Sequence, residues 1–374
     1  MKKNKLYTKT ITLPNGKRKY VRAATKEELE RKFNQLKAEI GAGIDVSDNS
    51  TVTELAQLWY TLYKKPYLRD GGRVAVLNAV NNHILPYIGT MRVRDVKPVH
   101  VRQIMTAHAN SSKSLQTKVL QTLRSIFLAA EENGMIAKSP VPRSLKAGGD
   151  DPEEKTPLTV EQCQALLVAT RGTRAYTAVL LMLSAGLRRE EACGLMWSDI
   201  DFERGELTVN RAKTFYTHAG EISTQLKSDS AHRTIPLPAP VVDELRAAKA
   251  KSNSLYVLAK LDGSSVSNTS FRSLWGVIEA RTTNDPSLLG QPIDVRHPNI
   301  RFGLDFHVHP HLLRHTCITR WFDEGLDIKT VQYLAGHATP DITLRVYDHY
   351  VASLRQQETA QRIKESTVLQ SVYA

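Results

Sequence analysis

Three windows in the second half of the 374-residue sequence carry residue types that can act on a phosphate. In His309-Pro310-His311-Leu312-Leu313-Arg314-His315, a helix begun at Pro310 sets His311 and Arg314 on one face, because residues three apart are neighbours on a helix. A guanidinium fork and an imidazole on one face can hold a phosphate. A purely structural His-Arg pair fits the same spacing. Metal binding fits it less well, since His307, His309, His311 and His315 alternate through a proline without a Cys or carboxylate cluster nearby.

In Gly186-Leu187-Arg188-Arg189-Glu190-Glu191, an apolar helix ends in two arginines beside two carboxylates. Arg188 and Glu191 meet across one helical turn, which would fix the fork for bidentate phosphate contact. The competing reading is a surface ion pair of little worth. In Gly336-His337-Ala338-Thr339-Pro340, Thr339 is placed to cap a helix whose first residue is Pro340, so that Tyr347 falls about two turns in. A lone tyrosine on a helix is ordinarily core or surface. Its phenol, with a pKa near 10, attacks at neutral pH only if positive groups stabilise the phenolate or a base takes its proton.

The whole chain suits a polyanionic partner: 51 Lys+Arg against 38 Asp+Glu leave a formal charge of +13. Nucleic acid and an anionic membrane both reward such charge. The longest apolar stretch, residues 178–187, is far short of the roughly 20 residues that span a bilayer. The basic start, Met1-Lys2-Lys3-Asn4-Lys5, is not followed by the apolar segment of a secretory signal. A cytoplasmic protein without a membrane partner is expected. Cys163, Cys193 and Cys317 lie far apart without metal-finger spacing, so reduced, buried thiols are expected.

The elements that must position these windows fall into modules, and the length suggests two or three domains. Thr25 with Glu28, Thr51 with Glu54 and Thr159 with Gln162 each have the spacing of a capping box ahead of a helical pattern. Residues 7–13 and 19–23 flank Pro14-Asn15-Gly16, a hairpin signal. Residues 2–26 hold nine Lys or Arg and no acid, which favours a folded DNA-binding module over a solvated basic tail once the hairpin is counted. Residues 51–139 read as helical, with breaks at Asp70-Gly71-Gly72, Pro86, Pro98 and Asn133-Gly134. A linker rich in proline, glycine and acid follows. Beyond it come a helix opened by Thr159, a buried helix near residues 175–187, and strand signals at Leu207 and Val209, at 222–226 as a partner strand, and at 233–237 as a third.

The three windows, in this order and spacing, resemble the tyrosine recombinase family of phage and transposon integrases across most of residues 157–350. The resemblance implies a mainly α fold with small β-sheets (α+β). Its expected modules are an arm-type DNA-binding domain at 1–48, a helical core-binding domain at 51–145, a linker at 146–157, a catalytic domain at 158–350, and a tail at 351–374 that packs on a neighbouring protomer. By position, the family's active site falls on Arg188, Lys227, His311, Arg314, His337 and the nucleophile Tyr347, with Glu191 supporting Arg188. Lys213 is the rival for the lysine. Leu312 departs from the aspartate common at that position, and Tyr333 and Tyr350 lie close to Tyr347 in sequence. The implied reaction is site-specific recombination of double-stranded DNA, integrating and excising a mobile element through a 3′-phosphotyrosyl link, with no cofactor and no metal. The implied assembly is a homotetramer on two DNA sites, with an excisionase or DNA-bending protein as accessory. A type IB topoisomerase-like enzyme and a non-catalytic DNA-binding regulator are the alternatives. The three-module plan argues against the first, and the Arg-Lys-His-Arg-His-Tyr set against the second.

Overall fold

A computed structural model describes residues 6–13, 16–42, 44–45, 48–149, 156–215, 220–223, 232–348 and 351. Contacts divide the chain into two compact units, Met1–Glu154 and Lys155–Ala374. The fold is mainly helical with small antiparallel sheets, as the sequence implied.

The first unit opens with strands β1 (Tyr7–Thr12) and β2 (Arg18–Ala23), paired antiparallel with Thr10 opposite Tyr20. Gly16, just before β2, has a φ of 79°, the left-handed conformation that glycine adopts without Cβ strain, while Pro14 and Asn15 of the expected turn lie outside the described residues. Helix α1 (Lys26–Gly41) is capped by the Thr25 hydroxyl, which accepts from the Glu28 amide at 3.1 Å. Leu13, Leu36 and Ile44 form a small core here. A larger core gathers α2 (Val52–Trp59), the π-helical turn Tyr60–Lys64, α3 (Asp70–His83), α4 (Leu85–Ile88), α5 (Pro98–Ala107) and α6 (Lys113–Glu132). Trp59, buried in it, still satisfies its indole N–H by donating to Ser125 Oγ at 3.1 Å. At Thr51 both bonds of the capping box are present. The break expected at Asp70-Gly71-Gly72 lies just before it. Helix α3 takes both glycines into its first turn, where Asp70 accepts from Arg73 at 3.0 Å and its charge complements the helix N-terminus.

The second unit starts with α7 (Val160–Thr170), opened by a complete Thr159-Gln162 capping box. Helix α8 (Tyr176–Ser184) is apolar all round and buried from Ala178 to Leu183, so the other elements pack around it. Then come α9 (Arg189–Gly194), β3 (Ile200–Asp201), β4 (Glu206–Val209), β5 (Ala212–Thr214), β6 (Glu221–Ser223) and β7 (Arg233–Pro236). Helices α10 (Ala239–Ala250), α11 (Asn268–Glu279), α12 (Pro310–Asp323), α13 (Ile328–Ala335) and α14 (residues 340–348) follow. The strand pairing differs from the sequence expectation. Strand β4 lies between β3 and β7, so both its edges are taken, and the strand around Ile222 pairs with β5 in a separate two-stranded sheet. The three cysteines are buried and unbridged. Among the described residues, no helix is long and apolar enough to cross a membrane.

Candidate active site

Three segments distant in sequence meet on the carboxylate of Glu191. Helix α9 begins at Arg189 with Arg188 as its N-cap residue, and Glu191, at the third helical position, reaches back to it. The Arg188 backbone N–H donates to Glu191 Oε2 at 2.8 Å and the guanidinium Nη1 donates to Oε1 at 2.6 Å. The Glu191 side chain is only 4 % exposed, so the surface-pair reading of this window does not apply. From β7, Arg233 donates to both oxygens, at 3.1 and 2.8 Å. From α12, Arg314 stands 4.0 Å away.

The same three arginines close the C-terminal end of α13. A helix ends with carbonyls that lack intrahelical partners and carry partial negative charge, so cations are favoured there. Leu334 O accepts from Arg233 Nε at 2.6 Å, Ala335 O accepts from Arg314 Nη2, and Gly336 O accepts from Arg188 Nη2 at 2.7 Å. Three successive carbonyls thus take three different guanidiniums. Gly336 makes this possible: its φ of 61° ends the helix in the left-handed region, and a Cβ there would lie 2.8 Å from Arg233 Nη1. Gly186 does similar work at the end of α8, with φ of 58° and a carbonyl that accepts from Arg314 Nη1 at 2.5 Å.

Charge is deliberately unbalanced in this cluster. Among the described residues, three guanidiniums face one carboxylate, a formal surplus of two positive charges. Burial alone would push the Glu191 carboxyl up, but hydrogen bonds and charge from Arg233, then Arg188 and Arg314, pull it down to about 2. Burial first, and Arg188 second, bring Arg314 down to about 9, so it stays charged at neutral pH. His337 follows the Gly336 turn, is buried, and lies 2.8 Å through Nδ1 from Thr343 Oγ1 on α14. Burial, then the charges of Arg314, Arg188 and Arg233, hold it at about 3, so its imidazole is neutral.

The sequence-expected residues are distributed unequally about this centre. Arg188, Glu191, Arg314 and His337 are brought together. His311 sits exposed in the first turn of α12, while Arg314, one turn on, points into the core at 4 % exposure. Tyr347 lies on α14 with its ring edge-on to Phe322 at 5.2 Å, in an apolar cluster with Ile318, Val331 and Ala335. Phe322 is eight residues along α12 from Arg314, about 12 Å of helical rise. Tyr347 also lines a cavity of about 550 Å³ with Leu326, Ile328 and Lys329. Lys227 lies outside the described residues. Lys213 is on β5, buried, and donates to Ser265 Oγ at 2.7 Å. Among the described residues, no group of three or more His, Cys, Asp or Glu is placed to hold a metal ion. Arg233 was missed. Its signal was there: in Arg233-Thr234-Ile235-Pro236 the arginine shares the inward face with buried Ile235, and a core-facing arginine needs a buried acid.

These protonation states predict how stability depends on pH. An unfolded chain takes up protons on His337 near pH 6.5 and on Glu191 near 4.5, whereas the folded chain resists until about 3 and about 2. The unfolded state therefore binds more protons as pH falls, and stability falls with it. The urea midpoint of the full chain should be level from pH 6.5 to about 8, short of the range in which Arg314 and the buried cysteines titrate, and decline below pH 6.5. In His337→Gln the decline should begin nearer pH 4.5. An identical onset in both proteins would contradict the assigned states.

A profile of the phage integrase family matches residues 157–353, and a profile of the phage integrase N-terminal SAM-like domain matches residues 51–107. The chain is 28 % identical over 378 residues to a tyrosine recombinase XerC-like protein of Caldanaerobacter subterraneus subsp. tengcongensis, covering 92 % of each. It is 26 % identical over 352 residues to the transposase from transposon Tn916 of Enterococcus faecalis, covering 91 % of this chain and 83 % of that one. In fold it is similar to the Tn1549 transposon integrase bound to transposon right end DNA, with a TM-score of 0.65, 21 % identity and coverage of 83 % of this chain and 100 % of that one. The lambda integrase tetramer on a Holliday junction matches with a TM-score of 0.60 and 16 % identity, covering 91 % of this chain and 97 % of that one. With its matched profile spanning more than half of the sequence over the arginine cluster and Tyr347, the chain belongs to the phage integrase family.

Proposed function

We propose that this tyrosine recombinase cuts and rejoins double-stranded DNA by transesterification, with Arg188, Arg314 and His337 holding the scissile phosphate and Tyr347 attacking it. The observation that carries the reading is the convergence of three guanidiniums on one carboxylate, a formal surplus of two positive charges among the described residues. A phosphodiester brings one negative charge and gains another as the nucleophile adds, so the cluster is matched to the transition state more than to the ground state. Arg188, the most exposed of the three at 29 %, is the one best placed to reach into a bound duplex.

The phenol oxygen of Tyr347 forms a bond to phosphorus as the bond from phosphorus to the 5′ oxygen breaks. His311 accepts the phenolic proton, and Lys227 gives a proton to the departing 5′ oxygen. The 3′-phosphotyrosyl link keeps the bond energy, so the 5′ hydroxyl of a second strand reverses the step without ATP. Neutral His337, with Thr343 giving its hydroxyl hydrogen to Nδ1, carries its own proton on Nε2 and donates to a phosphate oxygen. The choice of Lys227 over Lys213 is supported by Lys213 being buried against Ser265.

In this reading residues 51–145 grip the core site and the basic hairpin module at 1–48 grips a second site. Four protomers join two duplexes, and residues 351–374, almost all outside the described residues, pack on a neighbour. An excisionase or DNA-bending protein completes the assembly. The transposon relatives support a mobile element as the setting, and the cytoplasm is the place in this reading. The test is a nicked suicide duplex carrying a half-site selected by the protein itself, incubated in EDTA. A DNA adduct that survives denaturation is expected, and its absence on a verified half-site would contradict the reading.

A further inference from the structure

We infer that Arg233 is a positioning residue for strand cleavage, acting through Arg188 and the turn that carries His337, and that it never touches DNA. The inference rests on Arg188 being a phosphate ligand. Arg233 has a side chain with 0 % exposure, so no substrate in solvent can reach it. Three of its five N–H donors are directed inward: Nε to Leu334 O, Nη1 and Nη2 to the two oxygens of Glu191.

What those bonds hold is the setting of Arg188. Each oxygen of Glu191 accepts from both arginines, Oε1 at 2.6 Å from Arg188 and 3.1 Å from Arg233, and Oε2 at 2.8 Å from each. Arg233 therefore fixes the plane of the carboxylate, and the carboxylate fixes the fork of Arg188. The other end of the Arg188 fork donates to Gly336 O, and Gly336 lies so close against Arg233 that only a residue without Cβ fits. Both anchors of Arg188 are thus set by one buried side chain on β7. A buried guanidinium is costly unless fully paired. A lysine at the same position keeps the charge but has one nitrogen, which cannot span Leu334 O and both carboxylate oxygens.

The test compares Arg233→Lys with the parent on two suicide duplexes, one with an ordinary scissile phosphate and one with a methylphosphonate, which carries no charge for Arg188 to neutralise. The variant should bind half-site DNA within about threefold of the parent and form adduct on the order of 100-fold more slowly on the phosphate. On the methylphosphonate the difference should shrink to less than tenfold. Equal slowing on both substrates, or none on either, would overturn the assignment. A second measurement uses the parent alone, labelled at arginine nitrogen: the Arg233 Nε–H should exchange with solvent more slowly than that of Arg188, with or without DNA. Exchange as fast as Arg188's would overturn it as well. If the parent forms no adduct, the reading of the site fails, and the exchange measurement still decides whether Arg233 is the internal strut described.

Discussion

Tyr347→Phe should bind its half-site within about threefold of the parent and form no detectable covalent adduct. The substitution removes one oxygen. The ring that packs edge-on to Phe322 at 5.2 Å, within the cluster of Ile318, Val331 and Ala335, is retained, so folding should be unaffected. Loss of a nucleophile that acts as a unit with its electrophilic partners removes the chemical step almost completely, and residual rates reflect binding and charge alone. Gel-shift titration and a denaturing gel of the same reactions give both numbers. Wild-type levels of adduct in Tyr347→Phe would show that another group attacks.

Glu191→Gln should cost about 3–5 kcal/mol of stability, the usual consequence of breaking a buried ion pair by removing one partner. Glutamine has nearly the same shape, so the loss is electrostatic. Arg188, Arg233 and Arg314 would then face one another without the carboxylate they share, in a place where Glu191 is 4 % exposed. Adduct formation should fall by a factor on the order of 10² to 10³, because the Arg188 fork loses its anchor. Glu244→Gln supplies the contrast. Its pair with Arg171 is short, 2.5 Å, but the side chains are 69 % and 37 % exposed. Surface pairs of that kind contribute roughly 0–1 kcal/mol. Urea unfolding of both variants separates the cases, and equal small losses would contradict the buried-cluster account.

Local signals were the readable part of this chain. The Thr51 and Thr159 capping boxes and the Asn15-Gly16 signal are set by residues three or fewer positions apart, and α2, α7 and the paired strands β1 and β2 lie where those signals put them. Strand pairing was less readable, because the partner of β4 depends on which strand reaches its free edge. The run at 233–237 took that place, and Ile222 went to β5. Of the site, Arg188 and Glu191 could be paired from their spacing alone. The convergence of Arg314 and Arg233 on the same carboxylate could not, since it spans 42 residues in one case and over 120 in the other. His311 shows the limit of helical-face reasoning: residues three apart share a face, yet at a helix's first turn one is exposed while the next turn is buried.

The central claim is that the Tyr347 oxygen becomes bonded to DNA phosphorus. The most direct measurement is to trap the adduct on the suicide duplex in EDTA, trim it with nuclease and protease, and sequence the nucleotide-bearing peptide by mass spectrometry. The account predicts a phosphodiester remnant on Tyr347. A remnant on Tyr333, whose hydroxyl accepts from the Thr234 amide at 3.2 Å, on Tyr350, or on any serine would contradict it.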